Sequence, residues 1–286
     1  MKDGLILINK PQNITSFSAV AAVKRKLSVK CGHSGTLDPL ATGLLPVMCG
    51  KATKLCQYLT EGDKKYRAVL KFGIATDTYD ITGQITQTSD KRATLDEINS
   101  IVPKFIGKIK QVPPAYSAIK VGGTALYKLA REGKAVNAPI REIEIYSIDI
   151  LDYDGEYLTM DVYCSKGTYI RSLCNDLAQA LGTVGTMSEL TRTQSGKWKL
   201  CNAVDLDTEN LEEHIIPIDT VLAEFPEFYA GAFYSRLLTN GCAIDVKKLK
   251  NLPDGICRVY DSDKLLGLGS VLTEKDEQVF KIITHL

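Results

Sequence analysis

The sequence lacks the features that mark several large classes of protein. Its 35 basic and 34 acidic side chains leave a net charge of +1, so an RNA site would have to be a local patch. No apolar run approaches the roughly 20 residues that cross a bilayer. The first residues also lack the apolar region and cleavage site of a signal peptide. We therefore expect a cytoplasmic protein with no membrane partner.

Motifs for metals and nucleotide cofactors are missing too. The eight cysteines include no C-x-x-C pair, and their spacing suits neither a disulfide framework nor a zinc site in a cytosolic chain. We interpret them as reduced and mostly buried apolar side chains. Neither common phosphate-binding glycine loop is present. The sequence thus predicts a protein with no metal and no cofactor.

The length of 286 residues suits one main domain with a small appendix. Strand and helix patterns follow one another irregularly, with hairpin-like neighbours. This favours the α+β class, with a mixed, largely antiparallel sheet and flanking helices. After about residue 228, short apolar runs between Asp-Gly and Asp-Ser-Asp turns predict a small β-barrel-like domain. We place the two domains at residues 1–224 and 225–286.

Local patterns predict several elements of the first domain. The glycine-rich stretch at residues 31–43 fits neither helix nor strand and predicts a shaped loop. Tyr66 begins an alternating strand and lies on its apolar face. Thr15 or Ser16 can cap a helix whose apolar stripe runs from Phe17 to Leu27. The other predicted elements are strands at 5–8, 44–49, 141–151 and 157–164, helices at 52–59, 95–105, 124–132 and 169–181, and a mobile insertion at 112–138.

Asp38 is the first candidate for chemistry. It precedes Pro39, which disfavours helix and holds the aspartate extended. Flanking glycines let the backbone turn sharply and let a ligand approach closely. A carboxylate presented in this way can act as a nucleophile. The alternative is that the Asp-Pro pair merely begins a turn.

Arg171 is the second candidate. It falls in the first turn of a predicted helix, where a positive charge opposes the helix dipole. A bidentate pair with a carboxylate would hold the arginine and keep that carboxylate ionised. The alternative is a solvated arginine on an exposed face.

Aromatic and basic residues give weaker indications of an RNA site. His33 has no further metal ligands at suitable spacing, which leaves base stacking or ordinary loop packing. Tyr66 is a core aromatic unless the fold brings it close to Asp38. Lysine and arginine clusters with interleaved tyrosines are either solvated faces or contacts to an RNA backbone. These clusters occupy residues 64–67, 104–110 and 247–250.

Four segments together resemble the TruB family of pseudouridine synthases. They are GLILINKP at 4–11, GHSGTLDPLATGLLPV at 32–47, KKYRAVLKFGIATDTYDITG at 64–83 and SKGTYIRSL at 165–173. They occur in the family's order, and the G-x-L-D-P-x-A-T-G loop is far more specific than a lone short motif. The closing residues, with NGCAID and RVYDSDKLLGLGSV, resemble the PUA-like tail that many members carry.

The resemblance implies an enzyme that isomerises uridine-55 in the T arm of tRNA to pseudouridine. The enzyme would be a monomer without an obligatory protein partner, and residues 112–138 would grip the T arm. It would flip the uridine out, break the bond between ribose and uracil N1, turn the base and rejoin it through C5. Two alternatives are a catalytic subunit directed by a guide RNA and protein partners, and an RNA-binding or tRNA-folding protein.

The resemblance also assigns the residues of the site. Asp38 matches the essential catalytic aspartate, and Arg171 matches the arginine that pairs with it. Tyr66 would stack on the target base. The remaining assignments are Tyr169 and Leu190 as pocket walls, His33 beside the extruded nucleotides, and Lys10 and Asp80 near the site.

Overall fold

The structure is a computed structural model that describes residues 2–117, 119–131, 138–274 and 276–286. The strands before residue 225 are β1 (Gly4–Lys10), β2 (Cys31–His33), β3 (Thr42–Cys49), β4 (Lys64–Phe72), β5 (Ile74–Thr76), β6 (Ile85–Thr88), β7 (Gly107–Gln111), β8 (Lys120–Val121), β9 (Thr124–Ala125), β10 (Arg141–Tyr153), β11 (Tyr157–Cys164), β12 (Gly185–Ser195), β13 (Trp198–Lys199), β14 (Val204–Asp205) and β15 (Ile216–Pro217). The later strands are β16 (Glu227–Tyr229), β17 (Ile244–Asp245), β18 (Cys257–Asp261), β19 (Lys264–Glu274) and β20 (Glu277–His285).

The α-helices of the described residues are fewer than the strands. They are α1 (Ser16–Leu27), α2 (Cys56–Thr60), α3 (Leu95–Ile101), α4 (Leu126–Arg131), α5 (Ile170–Ala180), α6 (Ile218–Val221) and α7 (Gly231–Thr239). Among these residues, none of the helices has the length and apolar character needed to cross a membrane.

One large sheet forms the main body. Its strand order is β14-β1-β3-β12-β4-β11-β10-β7, with β2 beside β3, β15 beside β1 and β13 beside β12. Only β1 with β14 and β3 with β12 run parallel in this sheet. The expected α+β class with a mixed, largely antiparallel sheet and helices is confirmed.

The central strands β1 and β3 are buried on both faces, which explains their continuous apolar runs. Ile8 and Val47 lie on one face, in the core that also holds Val23 and Leu27 of α1. Leu5 and Met48 lie on the opposite face, in a second cluster. Each such side chain contributes about 1.5–3 kcal/mol when fully buried. Because β1 and β3 pack against apolar side chains on both faces, they form a rigid base for the loop that joins β2 to β3.

Strand β12 was missed by the sequence patterns. It lies between β3 and β4 in the middle of the sheet, yet Thr186, Glu189 and Arg192 break its apolar alternation. A partner distant in the sequence makes this possible, since the Thr186 hydroxyl lies 3.0 Å from that of Thr76. Side-chain hydrogen bonds remove the cost of burying polar groups in a central strand.

Three expected elements were wrong in their bounds. Residues 31–33, expected in a loop, form β2 and pair with β3. Helix α3 ends at Ile101, because Pro103 lacks an N–H and a 3-10 turn follows over Val102–Phe105. The helix expected at 124–132 begins two residues later, after β9. Residues 118 and 132–137 of the expected insertion lie outside the described residues.

The second sheet has the order β16-β18-β19-β20-β17. Phe228, Val259 and Phe280 fill its own core. Leu268 of β19 instead joins the cluster on the far face of β1 and β3, with Leu5. The carboxy-terminal sheet therefore packs against the main sheet through shared apolar side chains.

Candidate active site

The loop between β2 and β3 holds Asp38 at the surface of the main sheet. Ser16 Oγ accepts a hydrogen bond from the Leu37 N–H at 2.8 Å and donates one to the Leu37 carbonyl at 2.9 Å. On the other side, the Asn13 N–H donates to the Pro39 carbonyl at 2.8 Å. Both residues next to Asp38 are thereby held by the start of α1. The position of this carboxylate is determined by packing rather than by the loop alone.

Arg171 meets Asp38 from the first turn of α5. Its Nε lies 2.9 Å from Asp38 Oδ2, and its Nη2 donates to Oδ1 at 3.2 Å. The arginine side chain is 5% exposed and the aspartate side chain 36% exposed. The predicted bidentate pair is present, and the alternative of a solvated arginine is excluded. The carboxylate remains open on one side to a substrate.

Two backbone carbonyls hold the guanidinium of Arg171 in place. Its Nη1 donates to the Thr78 carbonyl and its Nη2 to the Tyr116 carbonyl, each at 3.0 Å. These bonds offset the unfavourable placement of a cation at a helix N-terminus. Arg171 is thus fixed independently of Asp38, so it can orient the carboxylate.

Asp80 lies behind this pair. Its Oδ2 is 3.8 Å from Arg171 Nη1, and its Oδ1 accepts from the Thr78 hydroxyl and the Thr82 N–H, each at 3.0 Å. Burial raises the pKa of Asp38, and the charge of Asp80 adds to this rise, whereas Arg171 opposes it. A carboxyl group whose pKa is raised by burial next to a charged partner is typical of a functional site.

Tyr66, Tyr169 and Leu190 are the aromatic and apolar residues predicted for the site. Tyr66 lies on β4, next to β12, and burial raises the pKa of its hydroxyl, with a smaller contribution from the Asp38 charge. Tyr169 caps α5; burial raises its pKa, and the Asp38 charge adds to the rise. Leu190 is buried on β12 as the register partner of Ala68. The fold therefore brings both tyrosines within electrostatic reach of Asp38.

Lys10 is a fully buried cation at the end of β1. Its Nζ donates to the carbonyls of Pro11 and Ile14, each at 2.8 Å, and of Pro39 at 3.4 Å. Burial lowers the pKa of Lys10 to about 8, although the charge of Asp38 opposes this shift. The lysine ties the Asp38 loop to the start of α1.

His33 ends β2 and is half-buried. Burial lowers the pKa of its imidazole, and the nearby Arg192 charge lowers it further. The ring is therefore biased to the neutral form, which suits packing against a base or against the protein. Within the described residues, no group of three or more histidine, cysteine or carboxylate side chains is arranged to hold a metal ion.

Arg192 is a residue of the site that the sequence analysis missed. It is 1% exposed, and it donates from Nε to the Leu44 carbonyl at 2.8 Å and from Nη2 to the Gly35 carbonyl at 3.2 Å. Both carbonyls belong to the segment that carries Asp38. Gly43 has a φ of +98°, and an added Cβ there would lie 2.5 Å from the Arg192 carbonyl oxygen. The sequence gives little indication of this role, because Arg192 lies on β12, a strand that the sequence patterns missed.

Two side chains of the basic cluster at residues 64–67 have partners within the protein. Lys64 is buried and donates to the Thr60 carbonyl at 2.9 Å. Arg67 pairs with Asp161 at 2.8 Å. Lys64 is therefore a structural residue, whereas Lys65 and Arg67 are exposed, and a contact of this cluster with an RNA backbone stays a prediction.

Family models match most of the main body of the chain. The model described as TruB family pseudouridylate synthase (N terminal domain) matches residues 22–170. The model described as tRNA pseudouridylate synthase B C-terminal domain matches residues 171–223. Asp38 lies in the first match and Arg171 begins the second.

Curated relatives match over nearly the whole length. The chain is 43% identical over 291 residues to a protein named tRNA pseudouridine synthase B from Clostridium tetani (strain Massachusetts / E88), with 99% of each chain covered. It is 45% identical over 274 residues to a protein of the same name from Clostridium novyi (strain NT), with 93% of this chain and 95% of that protein covered.

Solved structures share the fold. The chain matches the crystal structure of a Cbf5-Nop10-Gar1 complex with a TM-score of 0.71 and 26% identity, covering 98% of this chain and 84% of that chain. A structure of an H/ACA RNP bound to a substrate RNA containing 2'-deoxyuridine also gives a TM-score of 0.71, at 24% identity, covering 99% of this chain and 84% of that chain.

Proposed function

Because the chain belongs to the TruB family of pseudouridine synthases, we propose that it isomerises uridine-55 in the T arm of tRNA to pseudouridine. The observation that carries this proposal is the bidentate pair of Asp38 with Arg171, in which the carboxylate is 36% exposed and its arginine is fixed from behind. Such a pair presents a positioned nucleophile to a substrate that enters from solvent.

Asp38 acts as the nucleophile in this proposal. Its attack on ribose C1′ or on uracil C6 leads to cleavage of the bond between C1′ and N1. The base then turns and C5 bonds to C1′. The bond between Asp38 and the substrate breaks, which restores the free carboxylate, and the proton leaves C5 while N1 gains one. Reactant and product are isomers, so the reaction needs neither an oxidant nor an energy source. Arg171 holds the carboxylate ionised and aimed at the reacting atom.

The surrounding residues receive binding roles. A base inside folded RNA must be flipped out before it can react, and aromatic stacking offsets the unstacking. Tyr66 provides the stacking face, Tyr169 and Leu190 wall the pocket, and His33 fills space beside the extruded nucleotides. Lys10 positions the loop, as its hydrogen bond to the Pro39 carbonyl supports, and Asp80 positions the arginine, as their ion pair at 3.8 Å supports.

The domain organisation follows the same proposal. Residues 1–224 are the catalytic domain, with residues 112–138 as the insertion that grips the T arm. Residues 225–286 are a PUA-like domain, supported by the five-stranded sheet. The protein works in the cytoplasm as a monomer and needs no protein partner.

Two other functions differ in what they require. A subunit directed by a guide RNA would be inactive alone, and an RNA-folding protein would not need an ionised Asp38. The chain is 43% identical, over nearly its whole length, to a protein named tRNA pseudouridine synthase B, and this favours the stand-alone enzyme. The paired and accessible carboxylate favours catalysis over binding without chemistry.

The test is tritium release from tRNA transcribed in vitro with label at uracil C5, using the purified chain alone. A control tRNA carries cytidine in place of uridine-55. Release from the first tRNA that is lost in the control supports an autonomous, site-specific synthase. Absence of release from both RNAs would overturn the proposal.

A further inference from the structure

Cys31 and Cys49 face each other across β2 and β3. They are register partners in this antiparallel pair, and their Sγ atoms lie 3.8 Å apart. The neighbouring Gly50 N–H donates to the Lys30 carbonyl at 2.8 Å. Because hydrogen-bonded and non-hydrogen-bonded pairs alternate along an antiparallel ladder, Cys31 and Cys49 form a non-hydrogen-bonded pair.

This kind of pair has the backbone separation that a disulfide requires. Its Cα atoms lie about 4.5 Å apart and its side chains lean together. Disulfides span Cα separations of roughly 4.4–6.8 Å. The two sulfurs can therefore reach bonding distance by side-chain rotation, without a change of strand register.

The two thiols differ in exposure and acidity. Cys31 is partly exposed, whereas Cys49 is fully buried. The hydrogen bond with Cys49 lowers the pKa of Cys31, and the Lys24 charge lowers it further. The same bond, together with burial, raises the pKa of Cys49. Since the thiolate is the reactive form, Cys31 is the group that meets an oxidant first.

We propose that Cys31 and Cys49 are a redox modification site, which a low-molecular-weight disulfide converts reversibly into a cross-strand disulfide. The Cys31 thiolate attacks one sulfur of the small disulfide and expels a thiolate. Cys49 gives its proton to that thiolate, attacks Cys31 Sγ and expels the second one, which takes up the proton that Cys31 had lost. Two protein thiols are oxidised and one small disulfide is reduced to two thiols; excess thiol reverses the exchange.

The bond would tether the strand that leads into the Asp38 loop. Strand β2 ends at His33, and the chain continues directly to Asp38. Neither cysteine belongs to the site residues described above. The modification therefore stands independently of the proposed activity.

The experiment uses the full chain treated with oxidised glutathione. The protein is then denatured in the presence of excess alkylating reagent, so that buried free thiols are alkylated too, and it is digested with trypsin without reduction. Cleavage after Lys30 and Lys51 releases one peptide that contains Cys31 and Cys49 and no other cysteine. We expect this peptide to carry no alkyl group and to be lighter by two hydrogen atoms than its reduced form. The bond should also raise Tm by about 5 °C.

Single variants provide the controls. Cys31→Ser should show neither the lighter peptide nor the rise in Tm. Cys56→Ser removes a neighbouring half-buried thiol and should behave like the parent chain. The proposal is overturned if the peptide is alkylated twice while the exposed Cys201 and Cys242 have become glutathionylated. A persistent mixed disulfide at Cys31 would overturn it equally.

Discussion

Two arginines in this molecule each lie between two carboxylates, but only one belongs to the candidate active site. Arg171 lies 2.9 Å from Asp38 and 3.8 Å from Asp80. Arg258 lies 2.9 Å from Asp219 and 3.0 Å from Glu227. Both guanidiniums are nearly buried, so charge and distance alone do not distinguish a reactive pair from a structural one.

The pKa shifts of the two aspartates do distinguish them. A hydrogen bond from Tyr260 lowers the pKa of Asp219, and Arg258 lowers it further, against partial burial. Burial instead raises the pKa of Asp38 despite its arginine. Arg258 also donates to the Phe225 carbonyl at 2.9 Å, which joins the segment after α6 to the carboxy-terminal sheet. The carboxy-terminal network thus stabilises the ionised form of Asp219. In the loop between β2 and β3, burial instead destabilises the ionised form of Asp38.

The largest expected effects separate the two aspartates. Asp38→Asn should reduce turnover on the order of 10⁴-fold, because a neutral amide is a poor nucleophile. Asp219→Asn should leave turnover within about twofold and lower stability by about 1 kcal/mol. Rates from tritium release and unfolding in urea measure both. Equal loss of turnover in the two variants would contradict the assignment of Asp38 as the reactive aspartate and Asp219 as a structural one.

Replacing each arginine by lysine should produce smaller effects that differ between the two networks in the same way. Arg171→Lys keeps the charge but loses the planar fork, and should lower kcat by about 10²-fold with little effect on Tm. Arg258→Lys should cost about 1–2 kcal/mol of stability with kcat unchanged. Steady-state kinetics and thermal unfolding are the measurements. An Arg171→Lys rate equal to that of the parent would contradict the assigned role of the pair.

The two networks should also respond to pH in different ranges. Asp38 must be ionised to react, so kcat/KM should fall with decreasing pH already above the ordinary aspartate pKa, since its pKa is raised. The lowered pKa of Asp219 contributes stability that is lost only below that ordinary value, as pH falls through its folded pKa. In Asp80→Asn, the acid limb of kcat/KM should move to lower pH. An unmoved limb would exclude Asp80 as a source of the shift.

The smallest expected difference concerns the salt dependence of tRNA binding. Phosphate contacts make RNA binding weaken as salt rises. Filter binding should therefore give a steep fall in tRNA affinity with the same slope for the parent and Asp38→Asn. A flat response in the parent would contradict an electrostatic contribution to binding.

Sequence patterns predicted the parts of the fold that depend on local interactions. The alternation after Tyr66 predicted β4, and the hydroxyl of Thr15 caps α1 by accepting from the Ser18 N–H. The pairing of Asp38 with Arg171 came from the opposed helix dipole and from the family resemblance, because 133 residues separate the two partners.

The missed features depend on distant partners. Arg192 receives its burial and its carbonyl partners from a segment about 150 residues earlier, near Gly35 and Leu44. Lys10 was placed near the site by the family resemblance, but its burial was not predicted, and one of its partners, the Pro39 carbonyl, is 29 residues away. Such buried polar groups violate the apolar pattern of their strands, so no local periodicity could predict them.

The most direct test of the central claim is a single-turnover measurement with Asp38→Asn in excess over labelled tRNA, with tRNA binding measured on the same preparation. We expect binding close to that of the parent chain and conversion of uridine-55 that is slower on the order of 10⁴-fold. Conversion at the parental rate, in protein purified from a host without its own enzyme, would show that the Asp38 carboxylate is not the nucleophile.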